Sequence, residues 1–423
     1  MKYFLPVVGC LLIALPSWSQ RDCRSFDYRQ QQLRADPTLA VSVEAVEQFT
    51  RLQLRKSAVS VDGQGSGKDN LPAVITIPVV VHVLYNNSAQ NISDAQILSQ
   101  LDVLNADYGK HNADTSGIPA YYSSLAADCG FQFVLATVDT NGHATTGIIR
   151  KHTNAASFSI NDDVKYSSKG GDDAWDRDRY LNLWVCNLTG SVLGYSSVPG
   201  GPKQTDGVVI LYTAFGTKGS AAAPYNRGRT ATHETGHWLN LIHVWGDTDC
   251  GDDEVSDTPP QKMATYGNPS GIIVSCGNTP YGNLYMDYMD FTDDIGMHLF
   301  TYGQRDRMRT MFVPGGFRHA LLSSNAGPVS AGGSAGGITG EAGAGEALTI
   351  DMYPNPAMST VTVKLNDMTR IGSLVEVYNQ IGMRVMVMRI TQTTFSLNLA
   401  GLSGGVYVVR VEGTERGTKL VKM

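Results

Sequence analysis

Hydrophobic positions fall in a few distinct patterns along the 423 residues. The first, from Phe4 to Leu15, is nearly all apolar, follows Lys2, and breaks at Pro16 into Ser17, Trp18, Ser19 and Gln20. A positive residue, a short apolar run and a small polar exit have the form of a secretory signal peptide, residues 1–20. Residues 21–72 are polar and mixed, with a short helix expected over Ser42–Phe49 and a flexible joint around Gly63, Gly65 and Gly67. A small unit followed by a loose joint in an exported chain reads as a propeptide. Ile75–Leu84 is almost continuously apolar and β-rich, as a strand buried on both faces would be. Ser93 precedes a stretch with Ile97, Leu101 and Leu104 at helical spacing.

Phe131–Leu135, Leu181–Val185 and Gly207–Leu211 read as further strands, and a long helix is expected near 229–241. Strands interleaved with helices predict an α/β (α+β) unit over 73–322, built on a mixed twisted sheet. From Ser323 to Ala347 the pattern disappears. Of these 25 residues 8 are Gly, 6 Ala and 4 Ser, which cannot build a core, so 323–348 is expected to be a linker. Beyond it, Val361–Val363, Leu374–Tyr378, Phe395–Leu397 and Val406–Val411 are short strands at regular spacing, which predict a small all-β sandwich over 349–423.

Composition narrows the function. A net charge of −6, from 33 Lys+Arg against 39 Asp+Glu, gives no electrostatic case for nucleic acid as a partner. No stretch after residue 20 is apolar enough to span a bilayer, so a mature protein without a membrane span is expected. Removing the signal leaves five cysteines, Cys23, Cys129, Cys186, Cys250 and Cys276. Export permits disulfides, and the odd count leaves at least one unpaired thiol that needs another role.

Residues 233–243 carry that chemistry. His233 and His237 stand four apart, so a helix presents both imidazoles on one face, where they can share a Zn²⁺. Glu234 then sits beside the metal's open position as the general base and acid. His243, six residues past His237, returns to the metal only if the chain turns sharply, and Asn240 suits the left-handed conformation of such a turn. The five-residue motif alone also occurs in ordinary surface helices; the third histidine and the turn residue make it specific. His82, inside an apolar strand, reads as a satisfied core residue. His111, His143, His152, His298 and His319 lack ligand spacing.

The extended zinc motif resembles the metzincins. Its flanks are similar to the cytophagalysin-like branch of the pappalysin metallopeptidases, over roughly 73–320. The matching stretches include His237–Leu241, Val244–Asp247, Asp253–Pro259, Tyr288–Asp290 with Asp293–Asp294, Phe300–Gln304, Leu193–Tyr195 and Pro199–Gly201. The resemblance implies a metzincin-like catalytic domain and a secreted zinc endopeptidase acting on proteins or peptides. It implies that Met289 lies beneath the zinc, a place that a plain core Met would also fill. It implies a Cys250–Cys276 disulfide, worth roughly 3 kcal/mol for a loop of that length in the chain-entropy model. It implies a Ca²⁺ site from the Asp253 carboxylate and the carbonyls of Asp252, Val255 and Thr258, hard oxygen ligands on what otherwise reads as a solvated acidic loop. Cys23 resembles the cysteine of a family zymogen switch, its thiolate occupying the zinc's open position; the alternative is a disulfide to Cys129 or Cys186. Cys186 ends an apolar strand like a buried free thiol.

The chain departs from the family in places. Phe291 stands where relatives carry a tyrosine whose hydroxyl helps hold the oxyanion, and losing such a donor costs ~10²–10³ in rate. Tyr285, Tyr288 or Tyr302 are the candidate substitutes. Phe291 also motivates the alternative of a catalytically impaired, zinc-containing surface binding protein. Gly296 replaces a cysteine of a second family disulfide. Relatives that prefer Arg place an acid near Ile295, so an apolar pocket beyond the scissile bond is expected here. The end of the chain, with Tyr353–Ala357, Val377–Asn379, Gly382, Gly404–Tyr407 and Lys419–Lys422, resembles the type IX secretion sorting domain. That implies export through the type IX machinery to the surface or medium of a Gram-negative bacterium. The alternative for this module is a carbohydrate-binding or adhesive sandwich.

Overall fold

The computed structural model describes residues 20–59, 71–327 and, from 349 on, all but 366–369, 371–372, 380–383, 391 and 412–416. The expected signal peptide, the glycine joint and most of the expected linker lie outside the described residues.

The N-terminal unit is two helices, α1 (Ser25–Ala35) and α2 (Leu39–Val59), the second much longer than the helix its apolar spacing predicts. Next come β1 (Ile75–Tyr85), α3 (Asp94–Tyr108), β2 (Phe131–Leu135), β3 (Ile148–His152), β4 (Leu181–Cys186), β5 (Gly194–Ser196) and β6 (Val208–Leu211). Ser93 caps α3, its side chain accepting from the backbone N–H of Gln96. The sheet runs β2-β1-β4-β6-β5, with β3 also paired to β1. All pairs are parallel except β5 with β6, so β5 is an antiparallel edge strand. β3 and β5 escape sequence detection because Ile148–His152 is half polar and β5 has three residues.

Both faces of β1 are covered, which is why it reads as continuously apolar. Val79, Val81 and Val83 face a core shared with α3 and the zinc-motif helix. On the other face Leu84 joins Trp184, Cys186, Tyr195 and Val209 in a second cluster. His82 is a satisfied core residue there, its Nδ1 2.7 Å from Asp172 and its Nε2 3.1 Å from Asn182. The domain is completed by α4 (Arg229–Trp238) and α5 (Tyr302–Arg309), the latter opened by a reciprocal capping box between Thr301 and Gln304. The packed body extends past the expected boundary at 322. Ala326 is buried and its carbonyl accepts from the Thr137 N–H, so the chain leaves the domain at 327 or later.

The C-terminal module is all antiparallel: β7 (Ile350–Tyr353), β8 (Thr360–Leu365), β9 (Leu374–Tyr378), β10 (Arg384–Arg389), β11 (Thr394–Asn398), β12 (Gly405–Val411) and β13 (Thr418–Lys422). Sheets β10-β9-β12-β13 and β11-β8-β7 share one apolar core, including Val363, Val377, Leu397 and Val409. This is the expected sandwich.

Candidate metal centre

Helix α4 carries His233, Glu234 and His237 and ends at Trp238. Asn240 takes φ +78°, the left-handed conformation its place in the motif called for, and the chain reverses to bring His243 back. The three Nε2 atoms lie 3.1, 3.2 and 3.3 Å apart. Each Nδ1 is already engaged: His233 with the Tyr288 carbonyl at 2.7 Å, His237 with the Leu241 carbonyl at 2.9 Å, and His243 with the Asp247 carboxylate. Those acceptors place the ring protons on Nδ1, so three Nε2 lone pairs point at one another. Burial holds His233 and His237 well below the usual histidine range, which keeps them neutral.

Converging lone pairs fit a cation. Tetrahedral zinc, with bonds of about 2.0–2.1 Å to nitrogen and 2.3 Å to sulfur, places nitrogens about 3.3 Å apart and a sulfur about 3.5 Å from each. The nitrogens meet that spacing. Cys23 Sγ lies 3.6 Å from His237 Nε2, and all four donor atoms lie within 4.8 Å of one another. The set joins two distant parts of the chain, since Cys23 precedes α1 while the histidines lie on α4 and the turn after it. Cys129 and Cys186 are buried and unpaired, and Cys250 and Cys276 form a disulfide.

Around the cluster, Gly236 leaves room for Met289: a Cβ there would stand 2.5 Å from the Met289 sulfur. Phe291 lies against the rings of His233, His243 and Trp245. The candidate replacement tyrosines are turned elsewhere. Tyr285 donates to the Gly271 carbonyl, Tyr288 donates to Asp107, and Tyr302 sits on the exposed start of α5 beneath Arg305.

Glu234 is fully buried, and burial pushes its carboxyl up to about 7. Its Oε2 accepts from Ser25 Oγ at 2.6 Å, while Oε1 has no partner. Ser25 in turn accepts from the Ser196 N–H. A Cβ on Gly194 would stand 2.9 Å from Glu234 Cγ, so only glycine lets the edge strand lie this close.

The segment before α1 lies along that edge. Cys23 bridges Gly194 in parallel, the Arg24 N–H donates to the Gly194 carbonyl, and the Leu193 N–H donates to the Asp22 carbonyl. Arg21 is buried on one side of the cluster. It pairs with Asp294, donates to the Thr292 carbonyl at 2.9 Å, and lies under the Tyr225 ring. This corrects the expectation of an apolar pocket. The turn at 294–296 points Asp294 inward and leaves Ile295 exposed. The Arg227 and Arg229 N–H groups at the start of α4 hold the carboxylate in place.

The Asp252–Thr258 segment is not a solvated loop. Asp253 is buried, accepts from the Thr258 hydroxyl at 2.9 Å and the Val255 N–H at 3.2 Å, and burial pushes it up to about 7. Among the described residues no ion pair reaches it, and the Val255 carbonyl beside it accepts from the same Thr258 hydroxyl at 2.7 Å. Helix α2 docks beside it, through Arg51 to Glu254 and Glu47 to Arg307.

The sequence assigns no site role to Arg21, Ser25, Gly194 or Asp294, although Gly194 and Asp294 lie within stretches that match the family. Asp247 was detectable, four residues beyond the third histidine within a stretch already quoted.

The pregnancy-associated plasma protein-A peptidase model matches residues 165–313, and a secretion system C-terminal sorting domain matches 351–423. An extracellular metalloprotease of Pyricularia oryzae is 31% identical over 282 residues, 64% of this chain and 86% of the relative. One from Arthroderma otae is 33% identical over 56% of this chain and 78% of its own length. Among solved structures, mature mirolysin of Tannerella forsythia in complex with a cleaved peptide is 49% identical. It has a TM-score of 0.59 and covers 60% of this chain and 97% of its own. A promirolysin mutant is 43% identical, with a TM-score of 0.65 over 72% of this chain and 97% of its own.

Proposed function

This chain belongs to the pappalysin family of metallopeptidases, and from that premise we propose that residues 21–72 hold its zinc centre latent until they are removed. The protein is a zinc metalloendopeptidase with a type IX sorting domain, secreted or held at the cell surface. The observation that carries the finer reading is the meeting of Cys23 Sγ with three histidine Nε2 atoms whose Nδ1 protons are all committed. His233, His237 and His243 would hold the metal, with the Cys23 thiol as the fourth donor. Zinc, when bound, supplies a Lewis acid and lowers the pKa of water.

Glu234 holds and moves the proton. Its Oε1, without a partner in the latent state, can take one from the attacking water and return it to the leaving nitrogen. In the latent state Ser25 occupies Oε2, so the N-terminal segment engages both the metal ligands and the base. Substrate lies antiparallel along β5, the edge the segment vacates. The pocket at Asp294 takes a guanidinium on the leaving-group side, as it takes Arg21 now. Asp253, with the carbonyls of Asp252, Val255 and Thr258, holds a structural Ca²⁺. Residues 73–327 form the peptidase unit, and 349–423 carry the export address.

The test is peptide cleavage by the full chain with zinc, beside Cys23→Ala and Glu234→Ala. Slow onset in the parent, immediate activity in Cys23→Ala and none in Glu234→Ala are expected. Equal activity with and without Cys23 sinks the latency reading. A folded, zinc-loaded Cys23→Ala protein that cuts nothing favours a binding protein.

A further inference from the structure

Five residues beyond Cys23, in the first turn of α1, Tyr28 enters a socket beneath the edge strand. Gly194 and Ser196 face the zinc helix, so Tyr195 between them points to the other side of the sheet. There its ring meets Tyr28 with centroids 4.9 Å apart, above Trp184. The floor is charged. Lys165 is wholly buried, pairs with Asp162 at 2.9 Å and donates to the Thr205 carbonyl at 2.8 Å. Tyr28 meets both charges, and Gln32 one turn on donates to its hydroxyl at 2.6 Å and to Asp162 at 2.8 Å. The Tyr28 hydroxyl donates to Asp162 at 2.8 Å and accepts from Lys165 at 3.1 Å, while the Lys165 ammonium lies 4.6 Å from the Tyr28 ring centroid.

The socket belongs to the chain that remains after residues 21–72 leave, because Asp162, Lys165, Trp184, Tyr195 and Thr205 all lie in the peptidase unit. It also has a defined place in the cleft. Arg21 marks the leaving-group side of the metal cluster, and the segment crosses past Cys23 to reach Tyr28 on the opposite side. An extended substrate beside β5 alternates its side chains, so every second residue faces the Tyr195 side of the sheet.

We propose that the Tyr28 socket is a substrate subsite for a tyrosine side chain on the amino-terminal side of the scissile bond. The inference rests on the latent-peptidase reading, in which the N-terminal segment vacates the cleft. An aliphatic residue there leaves Lys165 and Asp162 without a partner from substrate. Phenylalanine supplies the ring and not the hydroxyl. Tyr28 thus keeps the socket filled and its buried pair satisfied until the enzyme is released.

The experiment uses the full chain cleaved in its joint and freed of the N-terminal segment. Fluorogenic peptides with Arg fixed after the scissile bond carry Tyr, Phe or Ala at each preceding position in turn. At one position Tyr is expected to raise kcat/KM about 10-fold over Ala and about 3-fold over Phe, the second being the size of one net hydrogen bond. Lys165→Met and Asp162→Asn each bring the Tyr-to-Phe ratio to one. Rates equal for Tyr, Phe and Ala at every position overturn the socket while leaving the peptidase reading intact. If no peptide is cut, the peptidase reading fails, and the socket is judged by fluorescence polarisation on the Glu234→Ala protein. Tighter binding of the Tyr peptide than its Ala counterpart then supports it, and equal binding overturns it.

Discussion

Replacing Asp206 by alanine should loosen the C-terminal end of the zinc helix. Asp206 is buried and accepts from Trp238 Nε1 at 2.7 Å, Trp238 being the last residue of α4. It also pairs with Arg318, 2.9 Å from one guanidinium nitrogen and 3.3 Å from the other, both side chains 1% exposed. Arg318 packs its guanidinium 3.5 Å from the Trp238 ring centroid and donates to the Trp238 carbonyl, while burial pulls its pKa down to about 10. Arg177 stands 3.9 Å from the same carboxylate. Removing the carboxylate leaves one fully buried cation and a second nearby without their acid, so the cost of breaking a buried pair applies, about 3–5 kcal/mol. For a unit of this size each kcal/mol lowers Tm by about 2–4 °C, giving a fall on the order of 10 °C. Calorimetry of the zinc-loaded chain reads it. The double variant Asp206→Ala, Arg318→Met should recover much of the loss, since an apolar replacement of both partners removes the stranded charge. A single variant costing less than about 1 kcal/mol, or a double variant worse than the single, would refute this reasoning.

Three further outcomes are expected. Gly194→Ala should abolish peptide cleavage in a folded protein, because the added methyl must displace either Glu234 or the Val209 carbonyl, 3.0 Å away; activity within twofold of the parent would contradict the close approach. Asp247→Ala should weaken zinc affinity about 10–100-fold by competition with a chelator, since it frees the His243 ring, and an unchanged affinity would mean Trp245 alone orients that ring. Calcium should raise the melting temperature of the parent and not of Asp253→Asn; a shift of equal size in both would place the ion elsewhere.

The local features of the site were legible. His233, Glu234 and His237 follow from helical spacing, and Asn240 from the need to turn. The strands buried on both faces were also legible, since their apolar runs are dictated by covering layers. What sequence did not convey was long-range pairing. Asp294 and Ile295 are adjacent, and only the turn decides which one faces the pocket, so an apolar pocket was the wrong expectation. Arg21 and Tyr28 look like ordinary surface residues until their partners, 273 residues away in the first case, are brought beside them. β5 is too short to show a period, yet it is the strand on which the cleft is built.

The parallel course of Asp22–Arg24 beside β5 has a kinetic consequence. A peptide bond threaded through the cleft backwards presents its carbonyl and its leaving nitrogen on the wrong sides of Glu234. On the proposed antiparallel course of substrate, the strand over the centre is therefore not cut in place. On the proposed latent reading, release begins at a bond outside that strand, and a first cut made by another molecule would make maturation a bimolecular event. A dilute preparation should stay silent, while a concentrated one, or one seeded with a trace of finished enzyme, should awaken after a lag that shortens as the seed grows.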